Sequence, residues 1–218
     1  MAEFDPQKHH RRSIRLQGYD YGSPGAYFVT ICTQGRECVL NDPVVSGIIQ
    51  DVWCALPRWF PTIELDEFVI MPNHVHFVIW IHPHGEVGNV GAALAVAPDA
   101  VAPDAVAPAE WIIPDPQRVN LNPTLGDVVG AFKSLVFKVY LDWIHSHDPA
   151  RRARFWQRNY YEHVIRNERE LEAIRNYIRR NPDRWNVDRD NPDNIRHLAP
   201  PVDVTEYVLE ATEGDTSK

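Results

Sequence analysis

The chain has 218 residues, 44% of them hydrophobic and 24% charged, with a formal net charge of -8. That is material for one domain with a real core, in no need of a disulfide or metal staple. Cys32, Cys38 and Cys54 have no CxxC spacing, which argues against a zinc finger and for reduced thiols in a cytoplasmic protein; no basic stretch leads into an apolar one near the start, and no apolar run nears the ~20 residues that span a bilayer.

Residues 1–26 are polar and rich in turn formers, ending in Tyr21-Gly22-Ser23-Pro24-Gly25, and read as an arm ahead of the domain. The arm carries a basic cluster, Lys8, Arg11, Arg12 and Arg15, beside His9 and His10. Tyr27 to Thr33 alternates aromatic and β-branched residues, as a first strand would. From Pro43 to about Phe60, Val44, Val45, Ile48, Ile49, Val52, Trp53 and Leu56 recur at helical spacing, with proline in the first turn. Glu64 to Met71 reads as a second strand, and Pro72-Asn73 as a tight turn into a third strand from His74 to Ile81, its antiparallel neighbour. Successive strand side chains point to opposite faces, so His74 and His76 share one face while Val75 lies on the other. An imidazole pair so placed can hold one divalent cation from one side, leaving positions for a third ligand and a substrate oxygen. Two histidines on a half-exposed strand are the plainer reading of the same spacing.

Residues 92–109 contain tandem Val-Ala-Pro-Asp-Ala units, and proline every five residues forbids a continuing helix or a central strand; this is an insertion without chemistry of its own. Thr124 resembles an N-cap, and Leu125, Val128, Val129, Phe132, Leu135, Val136, Val139, Tyr140 and Trp143 form the stripe of a second helix. Phe155 to Ile165 reads as a fourth strand, and Asn167 with Glu170 caps a third helix that ends at Asn181-Pro182. Charge is segregated: Arg151 to Arg189 holds eleven arginines against six acidic residues, whereas Asp190 to Lys218 holds seven acidic and two basic ones. The order β-α-β-β-α-β-α implies an α+β, ferredoxin-like (RRM-like) fold. Its antiparallel four-stranded sheet has the first strand and the histidine strand in the middle, helices on one face and a further C-terminal helix. The domain spans 27–185, and 186–218 is an acidic tail.

On the third helix Tyr177 and Asn181 are four apart, one above the other beside the docking stripe of Leu171, Ile174 and Ile178. An edge tyrosine and an asparagine C-cap before proline account for the pair without chemistry. Taken with Met71-Pro72-Asn73-His74-Val75-His76, then Phe155-Trp156-Gln157-Arg158-Asn159-Tyr160-Tyr161, and then Tyr177-Ile178-Arg179-Arg180-Asn181-Pro182, they resemble the single-tyrosine transposases of the HUH nuclease superfamily. Arg11-Arg12-Ser13-Ile14-Arg15-Leu16 and Tyr27-Phe28-Val29-Thr30-Ile31-Cys32-Thr33 are similar, more narrowly, to the REP-associated tyrosine transposases. The resemblance covers about residues 11–185 apart from the insertion. It implies that His74, His76 and Asn181 bind Mg2+ or Mn2+, and that Tyr177 attacks single-stranded DNA to give a 5′-phosphotyrosine and a free 3′-hydroxyl. Insertion-sequence relatives commonly carry Gln where this chain has Asn181. Tyr160 and Tyr161 are rival nucleophiles by residue type, but they have no partner four residues on.

The expected partner is single-stranded DNA with hairpin-forming REP-type repeats, with no nucleotide cofactor and no membrane. Arg11, Arg12 and Arg15 would help recognise the hairpin, and Lys133, Arg158, Arg175, Arg179 and Arg180 are candidate phosphate contacts. A monomer is expected and a dimer is left open. Two other classes compete: a non-catalytic nucleic-acid-binding module of RRM-like fold, and a metal-dependent phosphohydrolase that uses water instead of Tyr177. Histidine-triad hydrolases need a third histidine where this chain has Val78.

Overall fold

The computed structural model describes residues 16–84, 118–150, 154–188 and 190–194. Strands β1 (Gly25–Cys32), β2 (Ile63–Met71), β3 (His74–Ile81) and β4 (Tyr161–Ile165) form one sheet in the order β2-β3-β1-β4, with every neighbouring pair antiparallel. Helices α1 (Pro43–Trp59), α2 (Leu125–His147) and α3 (Glu168–Arg180) complete the β-α-β-β-α-β-α order read from the sequence, and the histidine strand is central as expected.

Each helix starts where its sequence supplies a partner for orphan amide groups. The Asp42 carboxylate accepts from the Val44 amide ahead of Pro43, Thr124 and Asp127 make a reciprocal capping box, and the Asn167 side chain accepts from the Glu170 amide. Helices α1 and α2 cover one face of the sheet. Val45, Ile49, Val52, Trp53, Leu125, Val128, Phe132 and Val136 bury there against Tyr27, Val29, Ile31, Val75, Phe77 and Ile79, the odd-numbered residues of the two central strands. Helix α3 covers the other face, where Leu171, Ile174 and Ile178 pack on Ala26, Phe28, Val78 and Ile165.

A bulge in β2 fixes how α3 sits. Leu65 pairs with Ile79 and Phe68 with Phe77, so two residues, Asp66 and Glu67, stand opposite Val78 alone. Both carboxylates reach α3: Asp66 accepts from Arg175 Nε and Nη2 at 3.0 and 2.7 Å, and Glu67 from Arg179 Nε at 2.8 Å. Arg175 and Arg179 are one helical turn apart, matching the adjacent acidic pair and tying α3 down on either side of Tyr177.

The fourth strand is shorter than the sequence reading of Phe155 to Ile165. Residues 155–160 touch the sheet through a single bridge between Trp156 and Thr33, while Phe155 packs on Tyr140 at 4.6 Å between ring centroids and Trp156 on Phe132 at 6.1 Å. Aromatic side chains there serve packing against α2 rather than ladder pairing. The proline-rich insertion lies outside the described residues, as does the chain beyond 194. No helix among the described residues is long and apolar enough to cross a membrane, and none of the three cysteines is in a disulfide.

Candidate functional site

His74 and His76 lie on the α3 face of β3 and are buried, at 0% and 3% exposure. Their Nε2 atoms converge to 2.9 Å. Two ligands held at right angles by bonds of about 2.1 Å stand about 3.0 Å apart, so this separation suits one shared cation. The far side of each ring is also engaged: His74 Nδ1 lies 2.8 Å from Asn73 Oδ1, and His76 Nδ1 lies 2.8 Å from the Thr30 hydroxyl on β1.

Hydrogen-bond bookkeeping assigns the tautomers. The Asn73 amide nitrogen donates to the carbonyls of Arg36 and Asp190, so its oxygen must face His74, and His74 Nδ1 donates to it. That leaves the His74 Nε2 lone pair pointing at His76. The Thr30 hydroxyl can donate or accept, so it can serve His76 in either tautomer and does not obstruct His76 Nε2 as a ligand. Burial, with the Arg36 charge beyond it, pushes the His74 imidazole down to about 3; burial, and then His74, holds His76 well below the ordinary imidazole range. Both rings are neutral at pH 7, the form that binds metal.

Tyr177 reaches this pair from α3. Its ring is half-buried with its centroid 5.3 Å from that of His76 and 6.1 Å from that of Phe28. Asn181, one turn on, is buried at 3% exposure; it ends α3 and starts a 3-10 turn over Pro182–Val187. The ring of Trp185 in that turn stands 6.2 Å from His74. Tyr160 and Tyr161 sit at the entry to β4, Tyr161 with its ring 6.3 Å from Phe28.

Two residues at the site have no counterpart in the sequence reading. Asp188 and Asp190, just past the 3-10 turn, bring carboxylate oxygens to within 4.8 Å of a His74 nitrogen and of each other. Asp190 makes its nearest approach to His74 at Nδ1, 4.0 Å away, and ion-pairs with Arg36. Burial pushes the Asp188 carboxyl up to about 6, with Arg36 opposing. The run Asp188-Arg189-Asp190-Asn191-Pro192-Asp193-Asn194 is dense in turn formers, and that was the signal available in the sequence.

The candidate DNA contacts separate into groups. Lys133 donates to the carbonyls of Gln157 and Arg158 at 2.7 and 2.9 Å, and burial lowers its pKa. Arg175 and Arg179 spend their charge on Asp66, Glu67 and Glu172. Arg158 and Arg180 are exposed, and Arg11, Arg12 and Arg15 lie outside the described residues.

Over 191 residues the chain is 35% identical to an uncharacterized protein of Haemophilus influenzae (strain ATCC 51907 / DSM 11121 / KW20 / Rd), an alignment that covers 83% of this chain and 93% of that one. The two belong to one family. No family model matches the chain. Among solved structures it is similar to a REP-associated tyrosine transposase bound to a REP hairpin, at 17% identity and a TM-score of 0.45, covering 84% of this chain and 74% of that one. It is also similar to a proposed transposase of Deinococcus radiodurans R1, at 19% identity and a TM-score of 0.40, covering 76% and 95%.

Proposed function

We propose that this chain cleaves and rejoins single-stranded DNA at hairpin-forming REP-type repeats, through a 5′-phosphotyrosine on Tyr177. The observation that carries the reading is the juxtaposition of a tyrosine on α3 with two neutral, buried imidazoles whose Nε2 atoms converge to 2.9 Å. Between two neutral rings the same contact is an N–H···N hydrogen bond, so the tyrosine beside the pair is what makes it a candidate site. The motifs around these residues, similar to those of REP-associated tyrosine transposases, supply the substrate class.

His74, His76 and the Asn181 side-chain oxygen would hold Mg2+ or Mn2+, the carbonyl oxygen being the donor that suits these ions best. When bound, such a cation polarises the scissile phosphate and stabilises charge in an in-line displacement. Tyr177 supplies the nucleophile: its phenolic oxygen bonds to phosphorus, the bond to the 3′ oxygen breaks, the phenol gives up its proton and the departing 3′ oxygen gains one. A phenol with a pKa of about 10 is a poor nucleophile at neutral pH, so proton removal must accompany attack. Attack by a 3′-hydroxyl reverses the step and joins strands without ATP, because the phosphodiester energy stays in the protein-DNA bond. Arg158, Arg180, Arg11, Arg12 and Arg15 are the basic residues best suited to phosphate contact, the first two because their side chains are exposed.

An RRM-like binding module is disfavoured by one feature. The sheet face such a module opens to bases is covered here by α3, with Phe28 and Val78 fully buried beneath it. The test is incubation with single-stranded REP-type DNA and Mn2+, followed by denaturing electrophoresis: an SDS-resistant protein-DNA adduct is expected, and cleavage without an adduct would favour a water-using phosphohydrolase.

A further inference from the structure

The segment that follows α3 returns to the histidine strand, although the sequence between Asn73 and Asp190 gives no hint of the contact. Its described residues close a series of turns. The Asn191 amide nitrogen donates to the Trp185 carbonyl at 3.0 Å and its oxygen accepts from the Asp193 amide at 3.0 Å. Asn194 donates to the carbonyls of Asn186 and Asp188, and the Asp190 amide donates to Asp188 Oδ1 at 2.6 Å. Each of these is a short-range turn closed by an Asn or Asp side chain, so the loop is held in shape by its own residues.

That shape delivers two groups of Asp190 to the back of His74. Its carbonyl accepts from Asn73 Nδ2 at 2.6 Å, and its carboxylate stands 4.0 Å from His74 Nδ1 while pairing with Arg36. The Arg36 carbonyl takes the second Asn73 proton at 3.1 Å. With both protons of the Asn73 amide engaged, the amide cannot turn over, and only its oxygen is available to His74. An oxygen held against Nδ1 requires the tautomer that carries its proton there, which leaves the Nε2 lone pair facing His76. Asp190 is nearest to Nδ1, not Nε2, and Arg36 already balances its charge, so its place is behind the ligand and not beside it.

We propose that Asn73 is a positioning residue for His74: clamped by the carbonyls of Arg36 and of Asp190 in the loop after α3, its amide fixes one tautomer and one ring orientation of the imidazole. This rests on the reading of His74 and His76 as a cation-binding pair, and it extends that reading to a part of the chain outside the motifs.

The variants are Asn73→Ala, which removes the oxygen that faces Nδ1, and Asn73→Asp, which keeps an oxygen there. Two readouts are needed on the full chain: nitrogen-15 NMR of the His74 ring without metal, and calorimetric titration with Mn2+. The expected result is a single Nδ1–H tautomer in the unaltered protein, a mixture in Asn73→Ala with Mn2+ binding weakened about tenfold, the low end of what loss of a group behind a ligand costs, and return of the single tautomer in Asn73→Asp. An unchanged tautomer in Asn73→Ala would overturn the positioning role. Unchanged Mn2+ binding in Asn73→Ala would overturn it too. Should neither His74→Ala nor His76→Ala alter Mn2+ binding, the cation-binding reading fails, and the tautomer measurement still decides whether Asn73 sets the state of His74.

Discussion

Under α1 and α2 the sheet presents Tyr27, Val29, Ile31, Val75, Phe77 and Ile79; under α3 the same two strands present Phe28, Thr30, His74, His76 and Val78. Both faces are almost wholly buried, so burial alone does not tell them apart. The difference lies in what the buried groups ask of their neighbours. The first face needs only apolar volume, and its side chains gain from every contact. The second buries two imidazoles and a hydroxyl, each of which must be matched by a hydrogen bond to avoid a desolvation cost. One face holds the fold together, and the other holds polar groups in fixed positions at the expense of packing.

The contrast is broken most forcefully on the apolar face. Phe77→Ala should destabilise the protein by about 3–5 kcal/mol, because the ring is fully buried between Trp53 and Phe132 and the site cannot collapse to fill the space. Chemical denaturation measures it, and a loss below about 1 kcal/mol would mean that α1 and α2 can repack over the sheet.

On the polar face the same kind of truncation should cost less stability and more function. His74→Ala and His76→Ala are each expected to lose about 1–2 kcal/mol of stability, the cost of a stranded hydrogen-bond partner, while DNA cleavage falls to background. The double variant should cleave no worse than either single one, as parts of one unit behave. Additive losses measured under single-turnover conditions would separate the two histidines.

A smaller effect should follow from cutting the tie between the bulge and α3. Burial alone would raise the Asp66 carboxyl, but hydrogen bonds from Arg175 and Trp80 hold it below the ordinary carboxylate range. Its contribution is therefore present above about pH 4, the unfolded value, and is lost as pH falls through the lower native one. Arg175→Ala should cost about 1 kcal/mol at pH 7, and Asp66→Asn should flatten the fall in stability on acidification. An unaltered pH profile would show that the pair does not anchor α3.

The smallest effect is expected from the proline-rich segment. Replacing residues 92–109 by a short Gly/Ser bridge should change stability by less than about 1 kcal/mol, since closure entropy varies slowly with loop length, and should leave adduct yield unchanged. A cooperative melt with normal Mn2+ binding but no adduct would reveal a DNA contact in the segment.

Much of this contrast was legible in the sequence because both periodicities are strong: alternation in β1 and β3 separates the two faces, and the helical stripes separate α1, α2 and α3. His74, His76 and Tyr177 could be named as candidates from spacing and motif. Three features could not. Asp190 meets Asn73 across 117 positions through turns without periodicity, so nothing local marks the meeting. Arg175 and Arg179 looked free for phosphate because their partners, Asp66 and Glu67, come together only through a bulge that shifts the register by one residue. Phe155 to Tyr160 has strand composition but is drawn to α2 by aromatic packing, which composition does not distinguish from pairing.

The central claim is that α3 brings the nucleophile to the histidine pair, and the location of the covalent bond tests it. After reaction with single-stranded REP-type DNA and Mn2+, nuclease and trypsin digestion followed by mass spectrometry should find the nucleotide remnant on the peptide Asn176-Tyr177-Ile178-Arg179, and none should form in Tyr177→Phe. A remnant on the peptide from Asn159 to Arg166, which carries Tyr160 and Tyr161, would contradict the account, because the attacking oxygen would then come from the entry to β4 and not from α3.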